Sequence, residues 1–238
     1  MRLYRFLVQP RFYFVLRTVK AMIMEALAFR EFNEEFFTKR ADRVAEIYRH
    51  IDTIRYSDFD IKITGPDYGW LDIHMYLDGE EAFLFEPSDV YPPFPDLRAW
   101  LDDMLNFYTV PSKSFIVDCE SYHTIFSYDY IGSIETETTY EPSAFIQIGD
   151  DYSENEDKKM IQFIVPIRFF VACFYRKLKD YMYENRRIFS KNWDHPGGGD
   201  FDIRKLMRSF ASKSIEKELD RMERYSGDLG HWPLIQIK

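Results

Sequence analysis

Cysteine is almost missing from this chain: 238 residues hold only Cys119 and Cys173. Two thiols cannot build a disulfide framework, and reduced cysteines in a bacterial cytoplasm are the expectation. Long apolar runs are missing as well. Residues 1–24 are rich in apolar side chains, but Arg2, Arg5, Arg11, Arg17 and Lys20 interrupt them, which excludes an integral membrane segment and a secretory signal. Their interleaving of cations and aromatics leaves attachment to a membrane surface as one alternative reading. Histidine is sparse, with five in the chain. No HExxH, paired CxxC or calcium-loop spacing occurs, so no cofactor and no metal are expected. Gly197 to Gly199 precede a helix, but Asp200 and Asp202 stand where a phosphate loop needs a lysine and a hydroxyl.

Aromatic residues, by contrast, make up 18% of the chain, with 22 Phe and 17 Tyr, and charged residues 30%. That inventory supplies a large core and a solvated surface without staples. The organising stretch is 83–108, FLFEPSDVYPPFPDLRAWLDDMLNFY. Pro92, Pro93 and Pro95 end ladder pairing near Glu86, and Pro95 suits the first helical position. Phe94, Leu97, Trp100, Leu101, Met104, Leu105 and Tyr108 then recur at helical spacing, predicting an amphipathic helix with Trp100 buried.

The rest of the chain predicts α+β: a largely antiparallel sheet of about six to eight strands, covered by a long N-terminal helix and two or three further amphipathic helices. The long helix runs over about 25–54. Alternation places strands at 61–64, 71–77, 82–85, 114–119, 123–131, 144–148 and 159–165. Val165-Pro166 opens a second helix striped by Ile167, Phe170, Val171, Phe174, Leu178, Tyr181 and Met182. The expected organisation is a basic segment 1–24 followed by one domain, 25–238. Within it, two meander-plus-helix halves, 55–108 and 113–190, precede one C-terminal helix over 201–225, capped by Asp200 or Asp202.

Charge is divided along the chain. The total is −9, yet 61–108 and 109–160 are each −8, while 1–24 and 161–238 are each +5. An acidic middle rich in Tyr and Phe suits recognition of a basic protein. The function expected is therefore a non-enzymatic binding module, of the immunity or inhibitor type that neutralises a basic toxin. Asp150, Asp151, Tyr152, Glu154, Glu156 and Asp157 in one run and Glu135, Glu137, Tyr140 and Glu141 in the run before it are its contact candidates. The cations of the last helices, among them Arg186, Arg187, Lys191 and Arg204, alternate with acids, a poor footprint for nucleic acid.

The alternative is a hydrolase-like enzyme with a site between sheet and helices, drawing on Cys119, His123 or His195. In an unbroken strand, residues four apart share a face but sit about 13 Å from each other. Cys119 and His123 therefore need a turn at 120–122 to meet. Asp194, His195, Asp200 and Asp202 crowd one loop, and turn formation and capping account for all four.

Overall fold

The structure is a computed structural model, and the residues it describes are Asp42, Ala45, 57–120, 122–135, 140–150, 160–193 and 202–226. The chain divides into two compact units, Met1–Thr53 and Ile54–Lys238. Of the first, only Asp42 and Ala45 are described, both helical, so segment 1–24 and all but these two positions of the expected long first helix lie outside the described residues. All that follows concerns the second unit.

Three strands open it: β1 (Phe59–Asp67), β2 (Trp70–Leu77) and β3 (Glu80–Phe85), a β1-β2-β3 antiparallel meander. Helix α1 (Phe94–Leu105) follows. A second meander, β4 (Ser112–Asp118), β5 (His123–Glu135), β6 (Tyr140–Asp150) and β7 (Met160–Pro166), leads into α2 (Ile167–Glu184). Short helices α3 (Arg186–Asn192), α4 (Ile203–Phe210) and α5 (Lys213–Ser226) complete the described chain.

The single sheet of six to eight strands is thus corrected to two sheets, of three and four strands. The proline-rich segment after β3 turns the chain into α1, and the approaching edges of β3 and β7 form no ladder. The two sheets nevertheless share one core. Phe85 of β3 meets Phe126 of β5 edge to face, with centroids 4.9 Å apart, and Phe59 of β1 stacks on Phe163 of β7 at 5.5 Å. Helix α2 spans the seam, packing on β1 as well as on β6 and β7.

Helix α1 buries Phe94, Leu97, Trp100, Leu101 and Met104, the stripe its sequence predicts. Each such side chain contributes roughly 1.5–3 kcal/mol by leaving water. Phe94 rather than Pro95 begins the helix, after Pro93, and Tyr108, past its end, is exposed while Phe107 is buried. Trp100 lies against Phe115, Phe126, Tyr128 and Phe170 at 5.5–5.9 Å. Its ring N–H donates to the Lys113 carbonyl at 3.1 Å, so the largest core side chain leaves no polar atom unpaired.

Two helices expected to be continuous are broken. The second stops at Asn185, where α3 begins. The C-terminal one stops at Ala211, whose backbone is extended, and restarts at Lys213. The second break has a visible cause. The Ser212 N–H donates to the Tyr175 hydroxyl of α2 at 2.9 Å, and the Ser212 hydroxyl donates to Asp102 of α1 while accepting from the Ile215 N–H. A residue held by two other helices cannot also continue its own, and its hydroxyl serves instead as the cap of α5.

Candidate functional site

The β4–β5 connection contains the turn that the thiol–imidazole reading requires, with the Cys119 N–H donating to the Tyr122 carbonyl at 2.8 Å. The turn does not make a nucleophile. Cys119 is fully buried, its sulfur 3.7 Å from the Thr124 hydroxyl, which donates to Asp150 at 2.7 Å; His123 points to solvent. Burial pushes the Cys119 thiol up to about 11, and the nearby Asp150 carboxylate adds to the shift. Cys173, partly buried against the Phe59 carbonyl and the Asp60 carboxylate, is pushed up to about 12 by burial and then by Asp60. Thiolate is the reactive form, and thiols shifted this way carry almost none near neutral pH. The described cysteines are free. Among the described residues no group of three or more His, Cys, Asp or Glu is placed to hold a metal ion, and no helix is long and apolar enough to cross a membrane.

The contact candidates distribute unevenly. Asp151, Tyr152, Glu154, Glu156, Asp157 and Glu137 lie outside the described residues, as do Asp194, His195 and Asp200. Glu135 and Tyr140 are opposite each other in the β5–β6 ladder, and Glu141 is opposite Ile134. Glu135, Tyr140 and Glu141 therefore belong to strands that continue past their expected ends. Glu141 faces Arg168 of α2 at 3.8 Å, and the same guanidinium pairs with Glu218 of α5 at 2.8 Å. Asp150 is buried and receives the Thr124 hydroxyl. Both carboxylates are engaged within the fold.

The three-stranded sheet presents the clearest acidic surface. Between Ser57 and Tyr91 nine carboxylates accompany one cation, Lys62. Register puts Asp60, Tyr76 and Glu81 in one row across the outer face and Lys62, His74 and Leu84 in the next. Glu81 accepts from Tyr76 at 3.4 Å and lies 3.2 Å from the His74 ring nitrogen; Asp72 accepts from Thr64 at 3.1 Å, and Lys177 of α2 reaches Asp60. At the rim, Asp58, Asp67 and Glu80 are exposed and accept no side-chain hydrogen bond. Asp58 and Glu80 adjoin the β2–β3 turn, while at the other end of β2 Tyr68, next to Asp67 at the β1–β2 hairpin tip, is 74% exposed and Tyr91, just past the Ser88–Trp70 bridge, is 50% exposed.

Position 65 governs the shape of that hairpin. Gly65 has φ +92°, and a Cβ there would come 3.0 Å from the Trp70 carbonyl oxygen, so only glycine suits it without movement. Its carbonyl accepts from the Tyr181 hydroxyl of α2 at 2.6 Å, anchoring the hairpin to the helix layer. Comparison with known proteins adds no constraint on what this surface recognises: the chain matches no protein-family model, no curated protein and no solved structure.

Proposed function

We propose that this chain is a protein-binding module that recognises a basic partner through the acidic face of its three-stranded sheet. A bacterial immunity or inhibitor role, neutralising a basic toxin in the cytoplasm, is the form of this reading we favour. The observation that carries it is the rim of that sheet, where Asp67 stands exposed and unengaged beside the open ring of Tyr68 at one end of the strands, and Asp58 and Glu80 stand exposed and unengaged at the other. Free carboxylates of one sign steer a basic protein into encounter, and exposed tyrosines supply the area that holds it.

The test is capture from a lysate of the protein's source, followed by association kinetics, with native chain and a D58N/D67N/E80Q variant compared. None of the three carboxylates holds the fold together, so the variant keeps native stability. The native chain retains a basic protein, and the variant associates several-fold more slowly at low salt, a difference that fades as salt rises. Equal retention and equal rates for the two chains would remove the acidic sheet from the function.

A further inference from the structure

Charge of the opposite sign gathers in a different arrangement where α3 packs on β1 and its Asn192 carbonyl accepts from the Gly69 N–H of the β1–β2 hairpin at 2.7 Å. Where α2 ends and α3 and α4 meet, a cleft of about 760 Å³ is lined by Tyr183, Arg186, Arg187, Lys191, Arg204 and Met207, with Ser190, Asp202 and Ile203 completing the wall. Its volume lies within the range of small-molecule sites. Arg187, Lys191 and Arg204 are exposed and make no ion pair, and the Arg186 guanidinium rests only on the Tyr183 ring, 5.3 Å from its centroid.

The one carboxylate among the described residues of the cleft does not neutralise them. Asp202 accepts from the Arg204 backbone N–H at 3.0 Å, capping α4, and its other oxygen faces Arg208 at 3.7 Å. Placement adds an independent argument. Arg204 and Lys205 occupy the first turn of α4, which carries no acidic residue, and cations there oppose the positive end of the helix dipole. A fold under no other demand puts such residues at helix C-termini. Here Arg204 converges, unpaired, with three further cations, Arg186, Arg187 and Lys191, on one concavity.

We propose that this cleft binds a small organic polyphosphate, whose phosphates are held by Arg187, Lys191 and Arg204 and whose organic part lies against Tyr183 and Met207. Guanidinium forks match phosphate oxygens two at a time. The cleft is larger than a chain of phosphates needs, and the Tyr183 ring is 58% exposed, open to a flat or apolar group. The charge layout selects a small ligand over a nucleic acid strand. The chain as a whole is −9, and a Debye length of about 8 Å confines the attraction to the cleft itself. On the side where Asn192 accepts from Gly69, a long polyanion leaving the cleft runs toward the hairpin that carries the exposed Asp67; a compact one does not.

The test is isothermal titration of the full chain at physiological ionic strength with three probes: inorganic tripolyphosphate, adenosine triphosphate and a short single-stranded oligonucleotide. One-site binding of tripolyphosphate and tighter binding of adenosine triphosphate are expected. R187Q/R204Q lowers both affinities about tenfold or more with no fall in melting temperature, and Lys191→Gln alone lowers them less. K213Q/K217Q, which removes two exposed cations of α5, changes neither. Absence of saturable binding, or equal losses in the two double variants, overturns the site. Equal affinity for the two phosphate probes overturns the role of the Tyr183 wall, and preferential binding of the oligonucleotide overturns the ligand class.

Discussion

The three-stranded sheet and the helical end beyond α2 carry charge of opposite sign, but they differ more in what the charges touch. On the sheet, Asp60, Asp72, Asp78, Glu81 and Glu86 each accept a hydrogen bond from a residue of the same unit. In the cleft, Arg187, Lys191 and Arg204 contact no carboxylate among the described residues. Charge that is paired inside a fold is used to position its elements. Charge left unpaired is available to something else, and the rim carboxylates and the cleft cations are the two places where this chain leaves it. The helix layer also contains charge that is paired and partly buried, which sets the scale against which both can be judged.

That scale is set most strongly by Asp102. Its carboxylate receives the hydroxyls of Ser212 and Ser214 and so joins α1 to the start of α5, whose cap is Ser212. Hydrogen bonds to a charged group contribute about 1.5–3 kcal/mol, and a lost cap about 1 kcal/mol. Asp102→Ala is therefore expected to lower stability by about 2–3 kcal/mol in urea unfolding. An effect below about 0.5 kcal/mol would erase the distinction between structural and available charge.

Glu216 gives a smaller effect with a pH signature. Burial works against its ionisation, but hydrogen bonds from Lys179 and the Tyr175 hydroxyl outweigh it and hold the carboxyl below its ordinary value. A carboxyl lowered in the folded state contributes stability above its ordinary, unfolded value and loses it as pH falls through the folded one. Because the pair is well exposed to solvent, the contribution near neutrality is about 1 kcal/mol or less. Unfolding of Glu216→Gln across pH should show a deficit at pH 7 that closes in the acid range. A deficit that persists at low pH would mean the residue acts through packing.

Sequence made some of this legible and concealed the rest for identifiable reasons. The stripes of α1 and α2 were readable because their partners lie at i+3 and i+4, so the sequence itself carries the period. The break before α5 was not readable: Ser212 is held by Asp102, 110 residues away, and by Tyr175, 37 residues away. Strands β5 and β6 extend to Glu135 and from Tyr140, where neither face carries an apolar alternation to show it. The single sheet failed because no pattern within a strand states which edge it pairs with. The cleft cations are visible one by one in the sequence, with acids among them, yet the acid described in the cleft, Asp202, is engaged in capping α4 and in facing Arg208. Only coordinates reveal which of two neighbouring charges is already engaged.

The smallest expected effect bears most directly on the sheet. Glu81 sits between His74 and Tyr76 on the outer face, with its side chain 48% exposed. Water screens such a cluster, and ordering three side chains offsets what attraction remains, so exposed pairs of this kind contribute from nothing measurable to about 1 kcal/mol. Glu81→Gln keeps the shape and an acceptor while removing the charge, and should change the free energy of urea unfolding by less than about 0.5 kcal/mol. A loss comparable to that of Asp102→Ala would show that the acidic face holds the meander together, and its carboxylates would then be explained by folding alone. A change within error leaves Glu81, like the unengaged Asp58, Asp67 and Glu80, with little to do for stability, and the accumulation of one charge sign on this sheet then calls for a partner of the other sign.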